Sequence, residues 1–331
     1  MAFLLDYPQG AGRLKAQMTF LARNLSYQFE SGRISVLEVL SAVISKFSDD
    51  LIQEYADMIF VSLVAVLAND DSEKCRAMAG LLIKLLFGRL GDQQRQKTLA
   101  VLKSWVELRD QQPQLASASL GVYSIIIDTA IDQVVAIMGV VVPAITESAA
   151  ALQQAETTDD EVDLEHSVPL NALKALVKAL EVAPAEATNL PWEAIIQHLL
   201  FPHTAVRLAA ARCISILMTS QKSVEVLGEE ALLEIARKGC LLMKGDVVDG
   251  RLEVVDPKLA DVLVKILWNI SKHWAVCLVL FIGLMLINRY RTRLPLAPLW
   301  TPRSNNQKMK RKTGKNRLLS KLEIRQNHYH G

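Results

Sequence analysis

Cys75-Arg76-Ala77-Met78-Ala79-Gly80-Leu81-Leu82-Ile83-Lys84-Leu85-Leu86 and Val206-Arg207-Leu208-Ala209-Ala210-Ala211-Arg212-Cys213-Ile214-Ser215-Ile216-Leu217 show one pattern twice, 131 positions apart. In the first, Cys75, Ala79, Leu82 and Leu86 fall at i, i+4, i+7 and i+11, one face of a helix; Val206, Ala210, Cys213 and Leu217 repeat that spacing in the second. An arginine, Arg76 or Arg207, follows the first apolar position in both. The offset is about three periods of the 40–47 residues found in HEAT and armadillo repeats. An irregular helical bundle satisfies the same periodicity. The small residues Ala209, Ala210 and Ala211 allow helices to approach closely and favour stacked pairs. The expected fold is all-α, an armadillo/HEAT-like α-solenoid of stacked antiparallel helix pairs. Arg76 and Arg207 are expected to be structural, their guanidinium groups reaching acids or carbonyls of a neighbouring repeat.

Outward from these helices, turn signals divide the chain at spacings of roughly 15–25 residues, which suits helix-turn-helix units. Ser31-Gly32, Gly91-Asp92, Gln112-Pro113, Pro143, Ala183-Pro184, Leu190-Pro191, Phe201-Pro202 and Gly245-Asp246 are the expected joints. Asp49-Asp50 opens a helix whose stripe is Ile52, Tyr55, Ile59, Leu63 and Val66. Asn69-Asp70-Asp71-Ser72 supplies a turn and N-cap candidates for the next helix. Glu156–Glu165, ETTDDEVDLE, places six acids in ten positions and is expected to be a solvated loop interrupting the array.

Of 331 residues, 51% are hydrophobic and 22% charged, with 15 Gly and 11 Pro, which excludes a disordered or collagen-like chain. Four scattered cysteines without a C-x-x-C pair exclude a disulfide framework and a zinc knuckle. The net charge of +2 conceals a split. Residues 289–331 carry 12 Lys or Arg against Glu323 alone, whereas residues 1–288 carry 25 basic and 34 acidic side chains. An acidic body suits protein contacts, and the tail suits a polyanion. Its run Lys308, Lys310, Arg311, Lys312, Lys315 and Arg317 is the expected contact for RNA or an import receptor.

No chemistry is signalled elsewhere. There is no G-x-G-x-x-G, and Thr313-Gly314-Lys315 lacks the earlier glycine of a Walker loop. No histidine sits in a nucleophile setting, and His198 and His203 read as helix-end residues near a turn. No enzyme activity, cofactor or metal is expected. Residues 1–270 are expected to form the repeat region and 289–331 a basic, disordered tail. Residues 271–288 are expected to form a strongly apolar helix and are a candidate transmembrane segment. Its uncharged part, 273–288, is short for a span but is flanked by Trp274, Tyr290 and an arginine cluster.

Phe3-Leu4-Leu5-Asp6-Tyr7-Pro8-Gln9-Gly10, Gly12-Arg13-Leu14-Lys15, Glu30-Ser31-Gly32-Arg33 and Ser35-Val36-Leu37-Glu38 resemble the C-terminal region of the U3 small nucleolar RNA-associated protein 20 (down-regulated-in-metastasis) family. So do Asn69-Asp70-Asp71-Ser72 with Lys74-Cys75-Arg76, Leu200-Phe201-Pro202-His203 with Val206-Arg207-Leu208-Ala209, and Pro257-Lys258-Leu259-Ala260. The likeness runs from about residue 3 to residue 270 and fades after Trp268. It implies a nucleolar scaffold of the small-subunit processome that supports pre-rRNA processing and 18S rRNA maturation. The implied partners are processome proteins, pre-rRNA and U3 small nucleolar RNA, and no catalytic residue carries over. Because the chain starts where only the last part of a family member would start, the other expectation is a truncated or misjoined fragment acting as a membrane-anchored helical protein, its membrane contact made through 273–288.

Overall fold

A computed structural model describes residues 12–157, 164–219, 223–245, 247, 248, 251, 252 and 255–273. Among them twelve α-helices follow one another: α1 (Arg13–Asn24), α2 (Glu30–Lys46), α3 (Asp49–Asn69), α4 (Glu73–Arg89), α5 (Asp92–Glu107), α6 (Pro113–Ile126), α7 (Val134–Thr157), α8 (Ser167–Val182), α9 (Trp192–Gln197), α10 (Thr204–Met218), α11 (Ser223–Lys244) and α12 (Pro257–His273). Single 3-10 turns join some of them, and Val247–Val248 pairs antiparallel with Arg251–Leu252 between α11 and α12. The joints use the expected chemistry. Ser72 Oγ accepts the Cys75 amide at 3.2 Å, Pro113 opens α6, and Gly245 leaves α11 at φ 71°.

Connectivity and packing sort the helices into pairs. Each odd helix packs on the even helix that follows it, and short connections reverse the chain between the two. The even helices form one ladder, α2 on α4, α4 on α6, then α8, α10 and α12, while the odd helices form a second ladder from α1 to α11. This is an α-solenoid of stacked antiparallel pairs. A single amphipathic pair cannot bury its own apolar surface, so each rung depends on its neighbours for a core.

The two quoted stretches are α4 and α10, three rungs apart in the even ladder. All eight stripe residues are buried. The stripe predicted on α3 is buried as well. A second flank of the same helices is covered too, by Gly80, Ile83 and Phe87 on α4 and Ala211, Ile214 and Met218 on α10. Gly80 shows why small residues matter on that flank: a Cβ there would meet Ile125 Cδ1 of α6 at 3.3 Å.

Two expectations are corrected. Ser31-Gly32 is not a joint but the first turn of α2, which starts at Glu30 after an extended Phe29. Gly32 is needed because the Tyr27 ring folds over it, and a Cβ would lie 2.4 Å from that ring. Pro143 does not end a helix either; α7 runs through it. The lost amide bond is outweighed by burial of Val141, Ala144 and Ile145, in the helix that packs on α8. The helix α12 is described as far as His273; residues 274–331 lie outside the described residues, as do 158–163 of the acidic loop. Glu165 at the end of that loop accepts the Ser167 and Val168 amides at 2.7 and 2.9 Å, capping α8.

Ala210 is fully buried in the even ladder. Ala210→Asp is expected to lower unfolding free energy by about 3–5 kcal/mol through an unpaired buried charge, measured by urea denaturation. An unchanged midpoint and slope would contradict the assignment.

Candidate protein and nucleic-acid interface

The polar side chains that define the surface also tie the rungs together. Arg33 of α2 reaches across to the turn after α3 and grips Asp70 with two bonds, Nε to Oδ2 at 2.7 Å and Nη2 to Oδ1 at 2.8 Å. Its Nη1 donates to the Tyr27 and Gln28 carbonyls, which fixes the α1–α2 turn. Asp70 Oδ1 also accepts the Ser72 amide at 2.8 Å, and the Ser72 hydroxyl donates to Glu30 at 2.6 Å. The Asp70 side chain is only 3% exposed and that of Arg33 13%. Burial pushes the Asp70 carboxyl up, but the Arg33 and Ser72 hydrogen bonds and the charges of Arg33 and Arg76 outweigh it and hold the group below the ordinary carboxylate range.

Comparable clamps recur along the stack. Arg89 donates to the Ile44 and Phe47 carbonyls and to Asp49, pinning the end of α4 to the α2–α3 turn. Arg109 grips Glu147 of α7 with two bonds, Lys97 pairs with Asp57 of α3, and Lys84 pairs with Asp128. Asn171 of α8 donates to Ser117 of α6, and the Cys213 thiol of α10 lies 3.6 Å from the Leu173 carbonyl of α8. These inter-pair bonds join residues 37 to 54 positions apart, the solenoid period read directly from hydrogen bonds.

Arg76 and Arg207 do something more local than a ladder. Arg76 Nη1 donates to the Asp70 and Asp71 carbonyls at 2.6 and 3.0 Å, both in the turn before its own helix. Arg207 donates to Thr204 Oγ1 at 2.8 Å, one turn back in α10, and its buried Nε has no hydrogen-bond partner among the described residues. Both stand in the first helical turn, within reach of the carbonyls of the preceding turn or of the Thr204 hydroxyl. The inter-rung work falls to Arg33, Arg89 and Arg109. Their acids lie about forty positions away, so no local spacing could reveal them.

On the even ladder, Lys174 of α8 and Arg212 of α10 have no ion-pair partner among the described residues. Burial and the charge of Arg212 both depress the Lys174 ammonium. At the N-termini of the same two helices, the His166 and His203 rings stack with centroids 4.1 Å apart. His203 Nδ1 accepts the Ala205 amide, and burial followed by the charges of His166 and Arg207 holds His203 below its ordinary value. His198 is fully buried. Its Nδ1–H donates to the Ala194 carbonyl at 2.7 Å and its Nε2 accepts the Ser148 hydroxyl at 3.1 Å, which specifies a neutral ring. Burial keeps it neutral against the raising effect of the Ala194 bond, and Lys238 adds to the lowering.

Among the described residues no three His, Cys, Asp or Glu side chains are grouped to hold a metal. Burial pushes the Cys213 and Cys240 thiols up, away from the nucleophilic thiolate. A groove of about 650 Å³ between α1 and α3 is lined by Leu25, Tyr27, Val66 and the Arg33–Asp70 clamp. Two described helices, Asp49–Asn69 and Ile131–Ala155, have the length and hydropathy of a membrane span, but both are rungs of the odd ladder with their inner faces buried. The basic run Lys308, Lys310, Arg311, Lys312, Lys315 and Arg317 and most of the apolar stretch 273–288 lie outside the described residues.

Acidification should weaken the stack in two steps. His198 is held neutral in the fold, so the unfolded chain takes up its proton first and stability falls as pH drops below about 6.5. Asp70 is held ionised in the fold, so its contribution is complete above about pH 4 and is lost as pH falls through its depressed value. Asp70→Asn should remove the second step and cost about 3 kcal/mol at neutral pH by leaving Arg33 unpaired. Urea titrations at several pH values check both.

No family model matches the chain. U3 small nucleolar RNA-associated protein 20 of Schizosaccharomyces pombe is 31% identical over 215 residues, which is 64% of this chain and 8% of that protein. Its counterpart in Saccharomyces cerevisiae is 27% identical over 273 residues, 82% of this chain and 10% of that protein. The chain therefore spans a tenth or less of the length of these curated relatives. Among solved structures, the designed armadillo repeat protein YIII(Dq)4CqI is 16% identical, with 76% of this chain and 99% of that one covered at a TM-score of 0.38. A second designed armadillo repeat protein, solved with the peptide (KR)4, gives 16% identity, coverage of 77% and 99%, and the same TM-score. By its sequence the chain is similar to one segment of the U3 small nucleolar RNA-associated protein 20 of both species.

Proposed function

We propose that this chain acts as a non-catalytic scaffold segment of the small-subunit processome in the nucleolus, supporting pre-rRNA processing and 18S rRNA maturation. The observation that carries this reading is its sequence relationship, over 64–82% of its length, to two proteins named for association with U3 small nucleolar RNA. The architecture fits the role. Stacked pairs offer a long, rigid surface built from side chains already committed to holding the stack, with buried thiols and a buried neutral histidine. Residues 1–288 carry nine more acids than bases, so the solenoid surface suits protein neighbours. Pre-rRNA and U3 RNA are contacted through the tail or through the rest of the complex.

A tagged full chain is expected to sediment from nucleolar extract with particles containing U3 RNA and to be released by salt. Retention in a membrane pellet until detergent is added, or cleavage of pre-rRNA by the purified chain alone, would refute the proposal. Replacing Lys308, Lys310, Arg311, Lys312, Lys315 and Arg317 by Ala should weaken RNA binding and reduce the slope of log K against log salt by up to about 4, six phosphate contacts at about 0.7 each. An unchanged slope together with unchanged nuclear entry would remove the tail from the mechanism.

A further inference from the structure

The two ladders differ in charge. From α4 to α12 the even helices carry eleven Lys or Arg and three acids, Glu73, Glu181 and Asp261, whereas the odd helices α3 to α11 carry six bases and thirteen acids. The even ladder thus runs against the acidic balance of residues 1–288. Register shows which of its side chains point outward. The stripe of α4 and α10 recurs as Val168, Ala172, Ala175 and Ala179 in α8 and as Leu259, Leu263, Ile266 and Ile270 in α12, all buried. Six residues after the first stripe residue, on the opposite side of the helix, stand Leu81 in α4, Lys174 in α8, Arg212 in α10 and Lys265 in α12, all exposed. This position is the outer midline of the even ladder. The acids around it are engaged or stand apart from its centre: Asp128 pairs with Lys84, Glu181 pairs with Lys178, Asp261 stands one turn before Lys265, and Glu73 opens α4 about two turns before Leu81. Lys174 and Arg212 have no ion-pair partner among the described residues and occupy the same register on helices packed together. Burial and then the Arg212 charge depress the Lys174 ammonium, so the two cations feel each other.

Toward α4 the midline turns apolar. Leu81 is 69% exposed and Leu85, one turn on, 39%. Beside them a groove of about 500 Å³ between α4 and α6 has Ala77, Gly80, Leu81 and Ile125 among its walls. A surface apolar at one end and positive at the other suits a peptide. Tracking a phosphate backbone draws on many cations, and base stacking needs aromatic platforms. From α4 to α10 the even midline offers two unpaired cations, and no exposed residue of these helices is aromatic. Packed helices lie about 8–10 Å apart, so the three rungs from Leu81 to Arg212 span about 24–30 Å, roughly eight residues of extended chain. We propose that this midline docks an extended acidic segment of a protein partner, with apolar side chains on Leu81 and Leu85 and Asp or Glu about five and eight residues further along, on Lys174 and Arg212. The assignment deepens the scaffold reading and rests on it, but binding to the purified chain needs no processome component, so its failure is separate from that of the sedimentation with U3 RNA.

The probe is a fluorescein-labelled peptide of about twelve residues, leucines at one end and glutamates at the other, titrated with the purified full chain and followed by fluorescence anisotropy. It is expected to bind, with Kd raised about tenfold or more by the double variant Lys174→Glu, Arg212→Glu. The basic tail is the same in both proteins and contributes equally. Both substituted positions are exposed, and circular dichroism checks that the variant keeps its helices. Should it unfold, Leu81→Glu decides instead, with the same loss expected. No binding, or an equal Kd in parent and variants, would overturn the proposal. So would equal binding of a peptide with serines in place of the leucines, which removes the apolar end. Tighter binding of an oligouridine, weakened by the same charge reversal, would mark RNA as the occupant and overturn it too. A change in sedimentation of the chain alone on charge reversal would instead mark a second copy, and peptide binding that appears only after neutralising Asp159, Asp160, Glu161 and Asp163 would mark the chain's own acidic loop; either result refutes a partner segment.

Discussion

The stacking of this solenoid depends on the burial of two flanks of its even helices, as in α4 and α10, one against the odd partner and one against the next rung. The stripe of α10 is the clearest instance. Val206, Ala210, Cys213 and Leu217 occupy one arc, and Ala211, Ile214 and Met218 a second, so that more than half of the helix circumference is inside. Burial of that extent is available only to a helix with neighbours on both sides. Small residues set how close those neighbours come: Gly80 lets α6 approach α4, and the alanine triplet plays the same part in α10.

Apolar stacking is indifferent to sliding and rotation, and the charged clamps remove that freedom. Arg33 fixes two turns of adjacent rungs through one carboxylate and two carbonyls, and Arg89 does the same for the opposite edge of the stack. Arginine suits both places because its planar fork bonds several acceptors at once and stays charged when partly buried.

Much of this was legible in the residues alone. The i, i+4, i+7, i+11 stripes, their offset of three periods, and most joints followed from periodicity and turn chemistry, because those signals are local. Three kinds of feature escaped. Pro143 and Ser31-Gly32 looked like breaks, since the burial around Pro143 and the Tyr27 ring over Gly32 are tertiary facts. Arg76 and Arg207 were placed on a ladder that belongs to Arg33, Arg89 and Arg109, whose partners are set by the stacking and not by spacing along the chain. His198 does stand at the end of α9, as its place near a turn implied, but its burial and its bridge between Ala194 and Ser148 depend on the contact between α7 and α9.

The clamps between rungs connect residues only 37 to 54 positions apart. Order in such a chain accumulates in installments of about forty residues, so that a nascent polypeptide can complete each rung as soon as the following one has emerged from the ribosome, without waiting for its end. The cooperative unit is correspondingly short. Pulled from its two ends, the stack should surrender its helices pair by pair, yielding as a graded spring does.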